Sequence, residues 1–444
     1  MERHQRSAFS SPVAGKPVRA AFDGGRLTSD AGVLMLAEIE RRLGIAERLA
    51  RCLTDPRSPE RVHHTLADMI RFRVLLVAAG YPDANDCDAL RSDPAFKMAV
   101  GRLPESGPDL CSQPTMSRLE NLPGATALKR MMAAMVGLFC DSFEEVPRCI
   151  VLDIDDTEDR AHGNQELALF HAHYGERCFL PIHVYEATTG KPVAVILRPG
   201  KTPGGTEVAL VLRHVVRRIR ARWPKVDILV RGDSHYGRHE AMSWCDRNRV
   251  GYAFGLAGNK VLLARVTDLA EDAAVHRVED EAAKVRRFGE LTYAAKTWDA
   301  ERRVIARVEA SERGVDSRFV VTNLAGAPRW LYEVVYCARG RAENLIKAHK
   351  VHLASGRTSC SKASANQFRL VLHTAAYWLL HTLRGLAPKR SFWRQAQFDT
   401  LRLMLVKVAV HVTKLATRIR LALPSSYPYR CSLTLLATRA ARPP

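Results

Sequence analysis

No C-x-x-C pair occurs among the ten cysteines, which are scattered from Cys52 to Cys431. That absence argues against a zinc ribbon or a disulfide framework and leaves reduced, mostly buried thiols as the expectation. Long apolar runs are missing too. The two longest apolar windows, MMAAMVGLFC and LVLHTAAYWLLHTL, are too short to cross a bilayer or are broken by His373 and His381. The opening MERHQRSAFSSPVAGKP lacks the apolar stretch of a secretory signal, so we expect a cytoplasmic protein with no membrane contact. Acid is scarce relative to base: 47 Asp and Glu stand against 67 Lys and Arg, a formal net charge of +20. An excess of that size favours polyanions, above all nucleic acid, through phosphate neutralisation and counterion release. No internal repeat or low-complexity tract is present.

At 444 residues the chain can bury a large core and has room for roughly three domain-sized pieces. Residues 1–146 read as an all-helical N-terminal region. TSDAGVLMLAEIERRLG sets capping residues before an apolar stripe with Gly44 beyond it, and HHTLADMIRFRVLLVAAG repeats the pattern. After Pro147 the texture changes. RCIVLDID and CFLPIHVYEATTGKPVAVILRPG are β-branched runs, the second folded back as a hairpin at Thr189 and Gly190. GTEVALVLRHVVRRIRARW follows as a helix with Val208, Leu212, Val215, Val216 and Ile219 on one face and Arg213, Arg217 and Arg220 on another. VDILV and GYAFGLAG are further strands. Residues 147–258 thus run strand, hairpin, helix, strand, helix, strand. Residues 259–325 carry short β-like runs and read as a β-rich insertion. A helix opens the next part, 326–384, and 385–444 is expected to be helical again.

Three acids stand out. Asp153 and Asp155 lie two residues apart on a strand, so both side chains leave the same face, and a bound divalent cation is a common remedy for such crowding. An exposed acidic strand end is the plainer alternative. Asp233 sits where the buried strand VDILV runs out, the usual place for site residues in α/β sheets, although it could equally cap the next helix. Glu343 lies inside the basic helix YCARGRAENLIKAHK. Tyr336, Arg339, Glu343, Lys347 and Lys350 are spaced to share one stripe. The expected core stripe, Leu331, Val334, Val335, Ala338, Ala342 and Leu345, falls about 100° away. A carboxylate completing a metal site amid phosphate-gripping cations explains this composition, and a solvated face with i, i+4 ion pairs is the alternative.

The spacing Tyr336-x2-Arg339-x3-Glu343-x6-Lys350 resembles the tyrosine, arginine, glutamate, lysine signature of bacterial insertion-sequence transposases of the DDE type. SQPTMSRLEN, DANDCDALRSDPAFK, HGNQE, RGDSHYG, ANQFRL and LPSSYP are also similar to one family of that group. The resemblance implies an α/β fold: a ribonuclease H-like mixed sheet core with a β-rich insertion, flanked by helical N- and C-terminal regions. The N-terminal region would then help bind DNA ends, Arg118 on the helix at 113–121 being a candidate contact. Asp155, followed closely by Thr157, would be the first metal ligand, with Asp153 as rival; Asp233 would be the second and Glu343 the third.

The function so implied is metal-dependent strand cleavage at the ends of an insertion sequence, with hairpin formation on the flank, and strand transfer into target DNA. Two Mg²⁺ ions, with Mn²⁺ as a possible substitute, would serve as cofactors. Arg339 and Lys350 would clamp phosphates while Tyr336 bonds a backbone oxygen. Trp298 or Trp330 could stack an extruded base, although packing is the more ordinary role of either. The partners would be double-stranded DNA, both terminal inverted repeats and target, and a second copy assembled on it, at the bacterial nucleoid.

Competing readings are an inactive transposase-derived DNA-binding protein and a haloacid-dehalogenase-type phosphatase with Asp153 as nucleophile. The latter needs a late second acid that the stretch after Gly232 and Asp233 does not offer. His235 and His239 lack the Glu of an H-E-x-x-H frame. RPGKTPGG lacks the first glycine of a phosphate loop, Val195 standing in its place.

Overall fold

The computed structural model describes residues 7–442, so the ends of the expected N- and C-terminal regions, 1–6 and 443–444, lie outside the described residues. The chain divides into two units, one built from residues 1–50, 55–119 and 379–444 and the other from 51–54 and 120–378.

In the first unit, helix Val33–Leu43 buries Val33, Leu36, Ala37 and Ile39, as its apolar spacing dictates. Helix Leu66–Ala79 is buried nearly all round, consistent with its continuous apolar run. Its N-terminus is capped by the Thr65 hydroxyl, which accepts from the Asp68 amide at 3.0 Å. Two arginines are buried in this helix: Arg73, 1% exposed, donates to the carbonyls of Tyr81, Pro82 and Asp83, and Arg71 pairs with Glu40 at 2.6 Å. This unit is not all helix. Ser7–Val13 and Lys16–Ala20 pair as an antiparallel ribbon. Val410–Lys414 pairs with both Ile419–Ala422 and Leu27–Thr28. Val408, Val410 and Val412 alternate into the core, a period of two where the sequence reading expected helix.

The second unit holds an eight-stranded mixed sheet. Its strands are β1 (Cys149–Asp156), β2 (Ile182–Glu186), β3 (Pro192–Ile196), β4 (Asp227–Gly232), β5 (Gly251–Leu256), β6 (Lys284–Tyr293), β7 (Arg302–Ser311) and β8 (Gly314–Thr322). Their spatial order is β6-β7-β8-β5-β4-β1-β2-β3. β1, β4 and β5 are parallel neighbours, β2 and β3 form the expected hairpin, and β2 runs antiparallel to β1. Helix Gly205–Arg222 buries Val208, Leu212, Val215, Val216 and Ile219. The segment 259–325 differs from its sequence reading: helices Lys260–Ala264 and Thr267–Glu279 precede the strands, and β8 joins β5 directly, so β6, β7 and β8 extend the main sheet. Residues 159–179 add a small three-stranded sheet between β1 and β2 in sequence.

After β8 comes an irregular helix. Leu331–Tyr336 is wound as a π-helix, Cys337–Gly340 as a 3₁₀ turn, Arg341–Lys347 as an α-helix and Ala348–His352 again as a π-helix. Such changes of winding rotate side chains away from an ideal stripe. Leu331, Val335 and Ala342 of the expected core stripe are buried, whereas Val334 is 57% exposed. Ile346 and His349 are buried instead.

Candidate active site

β4 lies parallel to β1 with Arg231 opposite Asp153 and Gly232 opposite Ile154. Asp233, the next residue, therefore emerges beside Asp155 where the paired strands end. Two neighbouring parallel strands thus deliver two carboxyls to one place, the crevice outside their carboxyl ends. Glycine is required on the adjacent strand. A Cβ on Gly255 of β5 would stand 2.9 Å from the Ser234 nitrogen and 2.7 Å from the Tyr336 hydroxyl.

The pair is electrostatically strained. Burial, and after it the negative charge of Asp233, push the Asp155 carboxyl up to about 7, with Arg339 opposing. Arg339 Nη1 lies 3.3 Å from Asp155 Oδ2, and its guanidinium sits over the Tyr336 ring, 5.6 Å from the centroid. Two of the expected DNA-binding residues, Tyr336 and Arg339, are therefore gathered at the aspartates. Arg339 is the nearest cation to a pair of acids that would otherwise repel.

Asp153 is differently employed. It is 1% exposed and bound by both Nε and Nη2 of Arg231 at 2.7 and 2.9 Å, while Arg231 Nη1 donates to the Val335 carbonyl. Burial and the two-pronged hold by Arg231 engage both carboxylate oxygens of Asp153, which weakens the Asp153 alternative and the phosphatase reading alike.

Glu343 is exposed, and its segment Arg341–Lys347 packs against β1 and β2. It does not reach Asp155 and Asp233: among the described residues no group of three or more His, Cys, Asp or Glu is arranged to hold a metal ion. Lys350, expected on phosphate, instead donates to the Glu158 carboxylate at 3.0 Å and to the Glu158 carbonyl, and stands 3.8 Å from Asp159.

Sequence reasoning passed over Asp156 here and weighed His235 only as a zinc ligand. Asp156 Oδ2 accepts from Tyr236 at 3.2 Å and lies 3.1 Å from His235 Nδ1. This bond raises the pKa of His235. Asp233 Oδ1 accepts from the His235 amide at 2.9 Å, which fixes the loop that carries it. The residues RGDSHYG advertised this turn; the partner Asp156 they could not reveal.

Of the other candidates, Arg118, Arg213 and Arg217 are exposed, whereas Arg220 donates to the carbonyls of Asn248 and Arg249. Trp298 packs edge-on against Tyr293, and Trp330 is 50% exposed. The cysteines are free thiols, six of them buried. Among the described residues no helix is long and apolar enough to cross a membrane.

A mixed sheet that gathers two aspartates at its parallel strand ends places them where the site residues of α/β sheets collect. The chain belongs to the family described as transposase DDE domain group 1, whose model matches residues 10–443. Among curated proteins no relative matches it. One similar solved structure is a cryo-EM piggyBac transposase synaptic complex with hairpin DNA. It is 8% identical, with a TM-score of 0.41 over 85% of this chain and 80% of that one, a likeness too distant to carry an argument.

Proposed function

We propose that the protein is an active insertion-sequence transposase whose ribonuclease H-like core cleaves DNA at element ends and transfers the strand into target DNA. The sheet order supports the core assignment: β3-β2-β1-β4-β5 with β2 reversed is the order that such a core requires. The observation that carries the proposal is the Asp155 and Asp233 pair. Its mutual repulsion, partly relieved by Arg339, leaves a site short of positive charge and rich in hard oxygen donors, which suits divalent magnesium.

In this reading Asp155, Asp233 and Glu343 would hold two Mg²⁺ ions, Glu343 by swinging its side chain in from its neighbouring segment. The chemistry such ions would supply is Lewis acidity, toward an attacking water or 3′-hydroxyl and toward the leaving oxygen. Arg339 passes from Asp155 to a DNA phosphate, Lys350 passes from Glu158 to another, and Tyr336 bonds the backbone beside them. A second copy on the paired ends would coordinate two cuts in a bacterial cytoplasm, at the nucleoid.

The exposed position of Glu343 favours one second reading, a DNA-binding protein that has lost cleavage. Nicking of a duplex that carries the element's own ends, with Mg²⁺ present, separates the two. The first reading expects nicking that Glu343→Gln abolishes while end binding persists, because the amide keeps shape and loses charge. End binding without nicking by the natural chain would establish the second, and undiminished nicking by the variant would remove Glu343 from the site.

A further inference from the structure

Beneath Glu343's helix lies a buried polar chain that none of the roles above uses. The Tyr185 hydroxyl, on β2, stands 3.0 Å from Nδ1 of His349 and 3.4 Å from the Leu345 carbonyl. His183, two residues earlier, brings its Nδ1 to 3.5 Å of the same hydroxyl, with its ring nearly parallel to the Tyr185 ring. On the other side, Nε2 of His349 lies 3.4 Å from Oγ1 of Thr374 in helix Ala363–Leu386. All four side chains are buried.

A proton inventory orients the chain. Thr374 donates its one hydroxyl proton to the Leu370 carbonyl at 2.7 Å. Its oxygen can only accept from His349, so the imidazole proton is on Nε2 and Nδ1 is an acceptor. Tyr185 therefore directs its single proton to His349 Nδ1, the shorter contact at 3.0 Å, with the Leu345 carbonyl at 3.4 Å the lesser acceptor, and its oxygen is left to accept from Nδ1–H of His183. Both imidazoles are neutral in this arrangement. Burial agrees, pushing His183 down to about 3 and His349 well below its ordinary value.

What the chain joins is the site. His183 lies opposite Asp155 in the β1–β2 ladder. Leu345 follows Glu343 by two residues, His349 precedes Lys350, and the winding turns from α to π at Ala348, between them. We infer that Tyr185 is a positioning residue that fixes the rotation of the Glu343 helix against the Asp155 strand, an inference that rests on the three-acid site proposed above. An apolar contact tolerates rotation about the helix axis, whereas a hydrogen bond weakens steeply once misaligned. Because the chain is buried, no bulk water can replace a lost partner.

Tyr185→Phe keeps the ring and removes the donor. In the metal-free, DNA-free full chain with native circular dichroism, amides of residues 341–352 are expected to exchange about ten-fold faster. The Mn²⁺ concentration for half-maximal nicking should rise about five-fold. Affinity for end DNA should stay within about two-fold, because the phosphate contacts are elsewhere. Thr374→Val should reproduce these effects from the far end of the chain, and Thr374→Ser, which retains the hydroxyl, should match the natural protein, so the result does not depend on one variant folding. Unchanged exchange and Mn²⁺ requirement in Tyr185→Phe or in Thr374→Val would overturn the inference. Glu343→Gln in the same assay tells the two failures apart. If it is inactive, the acid set stands and only the positioning role is lost; if it still nicks, the acid set falls and the positioning role with it.

Discussion

Asp159, close in sequence to the site, is 1% exposed and faces Lys350 at 3.8 Å, and burial pushes its carboxyl up to about 7. The folded state thus keeps a proton that the unfolded chain, near 3.8, has released, so stability falls as pH climbs from about 4 to about 7 and is level above that. Asp159→Asn is neutral at every pH. It should alter little at pH 4 and stabilise by about 2–4 kcal/mol at pH 8, a check made by urea denaturation at both values. A variant equally stable or weaker at pH 8 would show that Lys350 compensates Asp159 in full. At this scale the strand ends that carry Asp155 and Asp233 were legible in sequence. The pairing of Asp153 with Arg231 was not, since that partner lies 78 residues away. Asp156 escaped notice for the same reason: its partners His235 and Tyr236 meet it only through the parallel pairing of β1 with β4.

Elements aim those residues, and Gly255 shows how little room they leave. A methyl there would meet the Tyr336 hydroxyl at 2.7 Å, and the Ser234 nitrogen at 2.9 Å and Asp233 carbonyl carbon at 3.1 Å, the last two backbone atoms that cannot swing aside. Gly255→Ala should therefore cost about 1–3 kcal/mol in denaturant unfolding and, by shifting the Asp233 loop, suppress nicking. Gly340→Ala, with nothing within 4 Å of its Cβ, is the matched control and should keep both properties. Retained nicking in Gly255→Ala would mean that the Asp233 loop is not held as described. The hairpin of β2 and β3 and the buried face of helix Gly205–Arg222 could be read from apolar period alone. The irregular helix could not, because a regular rotation was assumed across Cys337–Gly340, where the winding tightens. The strand Val410–Lys414 did carry its period of two, masked by the helix-forming residues before it. The ribbon Ser7–Val13 with Lys16–Ala20 gave no such sign, since Lys16–Ala20 is exposed but for a half-buried Val18 and shows no alternation.

For the whole molecule the governing quantity is the charge of +20. Each phosphate neutralised on duplex DNA should add about −0.9 to the slope of log affinity against log salt. We expect a slope steeper than about −4, measured by fluorescence anisotropy on end-bearing DNA, and a slope near zero would deny the excess charge a role in binding. Composition made that partner class legible at once, because charge does not depend on the fold. The convergence of three acids does depend on it, and here the chain brings two together and leaves the third, Glu343, exposed. Anomalous scattering from crystals of the protein on its end DNA with Mn²⁺ tests that convergence most directly. The expected result is two manganese peaks between Asp155 and Asp233 with the Glu343 carboxylate drawn into coordination. Peaks ligated elsewhere, or a Glu343 still facing solvent with the metals bound, would contradict the three-acid site.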